Sequence, residues 1–264
     1  MISTDHIPAL EMIGVTVPTV RDPDAIILEG VQWTVAPGDY WAIGGLHRSG
    51  KSDLMAVAGG VMRPAVGTLR IFGQALMVGF ESERIAARRL VGLVFDGGQL
   101  VQRLSLLENI ALPLHYHLPP AAPEPTAHLE ALVAFTGLAS SMRKLPASVS
   151  RNQQQHIGLA RALALRPRLL LLDNPLTGLD PRDAQWWLDA LDQLAAGHPL
   201  LERQPLTLVV TADDLRPWIS RARQFAVVKD LHFLPLGDRT EARAHPDPLL
   251  EDLLHGLSPR DAPK

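Results

Sequence analysis

The stretch YWAIGGLHRSGKSDLMAVAGGVM, residues 40–62, decides the fold. An apolar run of strand character leads into GLHRSGKS, Gly45 to Ser52, which satisfies the pattern G-x-x-x-x-G-K-[ST], and a helical apolar pattern follows. Strand, glycine-bounded loop and helix in that order form a cradle for phosphate. Backbone N–H groups at a helix N-terminus face the anion, the lysine reaches the outer oxygens, and the hydroxyl ligates Mg²⁺. Lys51 and Ser52 take those last two roles here.

A second stretch, LLLLDNPLTGLD at residues 169–180, is an apolar run that delivers Asp173 to its C-terminal tip. With a phosphate loop in the same chain, a carboxylate at the end of a later buried strand reads as a Mg²⁺ ligand acting through water. Asn174 follows it, an amide where a second acid would be useful. Further on, LTLVV (206–210) and FAVV (225–228) are continuous apolar runs separated by helical patterns, the signature of buried parallel strands.

Between Ala9 and Gly73 short alternating runs (LEMIGVTV, IILEGVQWTV, YWAIGG, GTLRIFG) read as strands with one helix after Lys51. Residues 97–165 change to helical spacing, broken by the proline cluster LPPAAPEP at 118–125, which reads as a surface connection. Asp180 and Pro181 mark the start of a helix whose Trp186, Trp187, Leu188, Leu191 and Leu194 pack on the sheet. After Gly237 the chain is polar, with one short apolar group at 249–254.

The chain has 264 residues, 47% of them apolar, enough for one large domain or one with a satellite. A net charge of −3 gives no basic field for nucleic acid, and the absence of cysteine removes disulfides, thiolate catalysis and Cys-type zinc sites. The N-terminal residues MISTDHIPALEMIG lack the pattern of a signal peptide, and no segment reaches the ~18 apolar residues of a membrane span. His115 and His117 lack a third ligand at recognisable spacing and read as exposed histidines. Glu81 to Arg89 reads as a solvated helical face.

The order of these motifs resembles the ABC transporter ATPases over nearly the whole chain. AGGVMRPAVGTLRIFG resembles the family's segment after the phosphate loop, and VGLVFDGGQLVQRLSLLENIALPL (91–114) the loop entering its helical subdomain. SVSRNQQQHIGLARALALRPRLLLLDNPLTGLDP (148–181) resembles the signature helix, Walker B strand and D-loop in one run. LENIALPLHYH and DPLLEDLLHG (247–256) further resemble the ATPases of MCE-type lipid transporters.

The resemblance implies an α/β fold: a P-loop NTPase core with a parallel sheet, an antiparallel β flank and an inserted helical subdomain (about 97–165), in a single cassette domain with a C-terminal tail from about 238. It implies ATP and Mg²⁺ as cofactors, an integral membrane permease as partner, and a peripheral place on the cytoplasmic side of the membrane. Two chains would sandwich two nucleotides, each phosphate loop meeting the other chain's signature motif. Gly45, Arg48, Ser49, Gly50, Lys51, Ser52 and Asp53 would then contact nucleotide, with Ser150 and Gln153 of the signature reaching across. Ser52, Asp96 and Asp173 would lie at the metal.

Several family positions carry other chemistry. Asn174 stands for the glutamate that activates water, and Ala212 for the histidine that holds the γ-phosphate. Asp96 replaces the Mg²⁺-sensing glutamine, and Val149-Ser150-Arg151-Asn152-Gln153 replaces Leu-Ser-Gly-Gly-Gln. Arg48 replaces a loop glycine, and Asp53 a hydroxyl near the α-phosphate. Pro18 stands where an aromatic should stack on adenine, while Tyr40 and Trp41 read as core. Loss of a general base costs ~10²–10⁴ in rate, so the chain is expected to bind Mg-ATP and hydrolyse it slowly, as a homodimer or with an intact partner. A nucleotide-free structural subunit and a soluble ABC ATPase without a permease are the alternatives.

Overall fold

The computed structural model describes residues 7–76, 81–117 and 125–255, with backbone alone for 81–84 and 255. The proline cluster at 118–124, half of the 81–89 face and Gly256 of the tail motif fall outside these limits. Two compact units divide the chain: Met1–Arg88 with Thr207–Lys264, and Arg89–Leu206.

The first unit opens with β1 (Leu10–Pro18), β2 (Ile26–Val35) and β3 (Tyr40–Gly45), followed by α1 (Lys51–Ala58), β4 (Val66–Ile71), β5 (Gln74–Ala75) and α2 (Glu81–Arg89). The second unit carries β6 (Val91–Val94), α3 (Leu106–His117), α4 (Thr126–Thr136), α5 (Arg151–Leu163), β7 (Leu169–Leu172) and α6 (Pro181–Ala196). The chain then returns to the first unit through β8 (Thr207–Ala212), β9 (Gln224–Lys229), β10 (His232–Gly237), α7 (Arg239–Ala244) and α8 (Pro248–His255).

In the first unit an antiparallel sheet runs β2-β1-β4-β5. Leu10, Met12, Val15 and Val17 of β1 are buried, and the alternation slips where the register shifts between Met12 and Val15 and again at Val17 and Pro18, both buried. This is the expected antiparallel flank; the two-residue β5 is too short to leave a periodic signal. The parallel part places β3 between β8 and β9, with β10 antiparallel on β9. All six residues of β3 are buried, the pattern of a strand covered on both faces, and they include Tyr40 and Trp41. α8 supplies the apolar group of the tail: Leu250, Leu253 and Leu254 are buried.

In the second unit β6 and β7 pair in parallel, Val91 opposite Leu169 through Val94 opposite Leu172. The four leucines of β7 are fully buried, each stabilising the unit by roughly 1.5–3 kcal/mol relative to exposure. α6 starts as its sequence predicts: Asp180 Oδ1 accepts from the N–H groups of Arg182 and Asp183, and Pro181 takes the first helical position. Trp187, Leu188, Leu191 and Leu194 are buried, but Trp186 does not join them. It stacks on His156 of α5 at 3.7 Å between ring centroids and leans on Phe135 of α4.

Candidate functional site

β3 ends at Gly45 and α1 begins at Lys51, so the loop between them is held by the central strand of its sheet and by a helix start. Two glycines are there for room. A Cβ on Gly45 would lie 2.7 Å from both the Ser49 hydroxyl and the Val228 carbonyl oxygen. Gly50 has φ +101°, and a Cβ on it would meet Ile27 at 2.8 Å. Gly50 also precedes the helix with no side-chain cap, so the first-turn N–H groups remain available to an anion. Arg48 holds φ +64°: the left-handed backbone persists although the residue is not glycine.

Lys51 is only 6% exposed. Its ammonium donates to the carbonyls of Gly45 (2.7 Å) and Leu46 (2.8 Å), lies 3.5 Å from the Ser49 hydroxyl, and pairs with Asp213 Oδ1 at 3.0 Å. Ser52, the next residue, is exposed. Asp53 accepts from the Val20 N–H at 2.7 Å, tying the turn after β1 to the first turn of α1. That bond gives the Asp53 carboxylate a structural partner at the first turn of α1. Pro18 is buried, and Ala212 closes β8 at 4% exposure.

In the second unit Asp173 is 4% exposed at the tip of β7, its N–H donating to the Val94 carbonyl at 2.8 Å. Asn174 adopts φ +51°, a conformation that asparagine tolerates better than most residues. Ser150 caps α5 in a reciprocal box: its hydroxyl accepts from the Gln153 N–H, and Gln153 Oε1 accepts from the Ser150 N–H. Both residues expected to reach across to phosphate thus also define the start of their own helix.

Arg151 and Asn152, expected to stand in the signature, have partners inside the unit. Arg151 forms an ion pair with Asp96, and Asn152 Oδ1 lies 3.5 Å from the indole N–H of the buried Trp187. Asp96, expected beside the metal, is turned to Arg151. Among the described residues no group of three or more His, Cys, Asp or Glu could by itself hold a metal ion. His115 is exposed, and His117 packs edge-on against the exposed Tyr116.

Asp213 and Trp187 are the site neighbours that sequence reasoning did not reach. An acid directly after Ala212 was the available signal for the first. Nothing in the chain's pattern marked Trp187 as a partner for Asn152.

Comparison with known proteins identifies the family. The ABC transporter family matches residues 28–177, more than half of the chain. The macrolide export ATP-binding/permease protein MacB of Azoarcus sp. is 36% identical over 200 residues, covering 74% of this chain and 30% of that protein. The methionine import ATP-binding protein MetN 2 of Burkholderia mallei is 36% identical over 179 residues, covering 67% and 44%. The pyoverdine export ATP-binding/permease protein PvdT of Pseudomonas putida is 32% identical over 243 residues, covering 90% and 36%. The chain therefore spans less than half the length of these curated relatives.

Among solved structures, the post-hydrolysis dimer of the ATP-binding cassette MJ0796 bound to ADP and Pi has a TM-score of 0.73 at 24% identity, covering 84% of this chain and 95% of that one. The cbiO1 protein from Clostridium perfringens, part of the cbiONQ complex, has 0.71 at 20% identity, covering 90% and 91%. These likenesses show the fold, with its P-loop NTPase core. With the phosphate loop, the buried Asp173 strand and the family match over residues 28–177, the chain belongs to the ABC transporter family.

Proposed function

We propose that this chain is the ATP-binding subunit of an ABC transporter, that it binds Mg-ATP at a dimer interface, and that its own site hydrolyses ATP weakly or not at all. The observation that carries the reading is the loop from Gly45 to Ser52. It keeps the left-handed turns, the uncapped helix start and the buried lysine of a phosphate cradle, and we read Asn174 and Ala212 as standing at the family's catalytic positions. Lys51 would take the β- and γ-phosphate oxygens, and Ser52 would ligate Mg²⁺, whose charge offsets that of the phosphates. The amide of Asn174 accepts no proton at neutral pH, and the methyl of Ala212 offers nothing to a γ-phosphate.

A partner with an intact base and histidine would complete one competent site against this chain's altered signature. A homodimer would complete none. A membrane permease is the proposed docking partner, with the chain peripheral on the cytoplasmic face; no helix among the described residues is long and apolar enough to cross a membrane. Lipid as cargo rests on LENIALPLHYH and DPLLEDLLHG alone, and is tested by the lipid content of the purified complex.

Calorimetric titration with Mg-ATP, followed by phosphate release, tests the central claim. Binding in the micromolar range with little turnover is expected. A rate comparable to that of a glutamate-bearing relative overturns it. A nucleotide-free structural subunit is the second reading, favoured by the Lys51–Asp213 pair, and binding of Mg-ATP by the wild-type chain rejects it. Isolation of the native complex without a membrane subunit would instead favour a soluble ABC ATPase.

A further inference from the structure

We infer that Asp213 is a built-in competitor for phosphate: it occupies the ammonium of Lys51 and sets how tightly the loop takes a di- or triphosphate. The inference rests on the phosphate-binding reading of the Gly45–Ser52 loop and concerns the first compact unit alone.

An ammonium has three donors. Those of Lys51 are matched by three close acceptors of this chain: the carbonyls of Gly45 at 2.7 Å and Leu46 at 2.8 Å, and Asp213 Oδ1 at 3.0 Å. The Ser49 hydroxyl, at 3.5 Å, is a fourth and weaker contact. For a phosphate oxygen to bond to Lys51, one of the three close acceptors must yield. The carbonyls belong to the loop backbone, which β3 and the close approach of Val228 to Gly45 hold in place.

Asp213 is the one of the three close acceptors that is a side chain and not loop backbone. It follows the last residue of β8, and its side chain is 40% exposed while that of Lys51 is 6% exposed. An incoming phosphate and the Asp213 carboxylate would otherwise share one cation at close range, where two like charges repel. The carboxylate must therefore swing to water as phosphate arrives, and the lost ion pair is subtracted from the binding free energy. Asp214, its neighbour, makes no such demand: both of its oxygens are engaged by the Arg216 guanidinium at 2.7–3.0 Å.

The test is calorimetric titration of the full chain with two probes, Mg-ATP and inorganic pyrophosphate, in the wild type, Asp213→Asn and Asp214→Asn. The Asp213→Asn change keeps the shape and removes the charge. It should tighten both probes by about tenfold, the scale of one close charge pair in a partly solvated site, while Asp214→Asn leaves them unchanged. Asp213→Ser makes the same comparison should the amide disturb folding, with circular dichroism as the check.

If wild type binds Mg-ATP and Asp213→Asn binds it equally or more weakly, the competitor role is overturned and the ATP-binding reading stands. If wild type is silent and Asp213→Asn binds, the competitor role is upheld, and the wild-type chain is a locked subunit that takes no ATP by itself. If no variant binds either probe, both readings fall.

Discussion

Arg151 and Asp96 form an ion pair inside the second compact unit, and the sequence resemblance sets each at a position where an uncharged residue is expected. Read separately they are two defects, a bulky cation in a glycine-rich signature and an acid in place of a glutamine. Together they are one compensated exchange. The side chains are 55% and 40% exposed, so solvent screens the pair and its coupling should be modest, ~0.2–1 kcal/mol. A double-mutant cycle with Asp96→Gln and Arg151→Gly, read by chemical denaturation, should return that coupling at low salt and lose most of it at 1 M salt. Strict additivity of the two single changes would dismiss the pair as incidental.

The loop itself carries a measurable strain at Arg48, whose φ is +64°. A left-handed conformation costs a residue with a Cβ roughly 1–2 kcal/mol, and glycine gives back about 0.5–1 kcal/mol through its greater freedom in the unfolded chain. Arg48→Gly should therefore stabilise the protein by about 0.5–1 kcal/mol, visible as a rise in melting temperature. A fall would mean that the guanidinium makes a contact worth more than the strain.

Much of this architecture was legible because its signals are local. Four consecutive leucines, a run of small and apolar residues before Gly45, and Asp180-Pro181 ahead of a helical repeat each constrain their own segment, and β7, β3 and α6 follow them. What escaped is what only folding brings together. Asp213 meets Lys51 because β3 and β8 are neighbouring parallel strands, and Arg151 meets Asp96 across the start of α5. Asp53 accepts from the Val20 N–H of the turn after β1, a contact between segments 33 residues apart that no local pattern marks. Trp186 fits the helical stripe of α6 in spacing, yet its ring is drawn to the imidazole of His156 instead of the sheet.

That imidazole gives the second unit a pH dependence. His156 is 8% exposed, and burial holds its pKa below the ordinary 6.5, opposed in part by the Thr136 carbonyl and the charge of Asp183. The unfolded chain therefore takes up a proton at this site at a higher pH than the folded chain does. Between pH 6.5 and the depressed folded value the unfolded state binds more protons, so stability rises with pH and is lost on acidification through that window. His128 and His198 are lowered in the same direction and add to the slope. His156→Phe keeps a ring against Trp186 and removes the proton. It should flatten the stability–pH curve below pH 6.5, by at most about 1.4 kcal/mol per pH unit for this one group. An unchanged slope would assign the dependence to the other histidines.

On the proposed reading of Asn174 and Ala212, supplying a glutamate and a histidine there should expose a trade between turnover and stability. Asn174 sits at φ +51°, where asparagine is one of the better tolerated residues and a glutamate is not. Asn174→Glu should therefore cost about 1 kcal/mol in the fold while supplying the missing base. Ala212→His asks for more space, because Ala212 is 4% exposed at the end of β8. The two changes act on one reaction, so their rates should not multiply. Neither single change should reach the activity of the pair, and the pair should raise phosphate release above the wild type only where a partner chain supplies a glycine signature. The measurement is phosphate release by the double variant, alone and mixed with an intact cassette. No activity alone, with a mixture exceeding the same cassette mixed with wild type, places the remaining defect at Arg151 and Asn152. Activity of the isolated double variant at a relative's rate would show that this altered signature still serves hydrolysis.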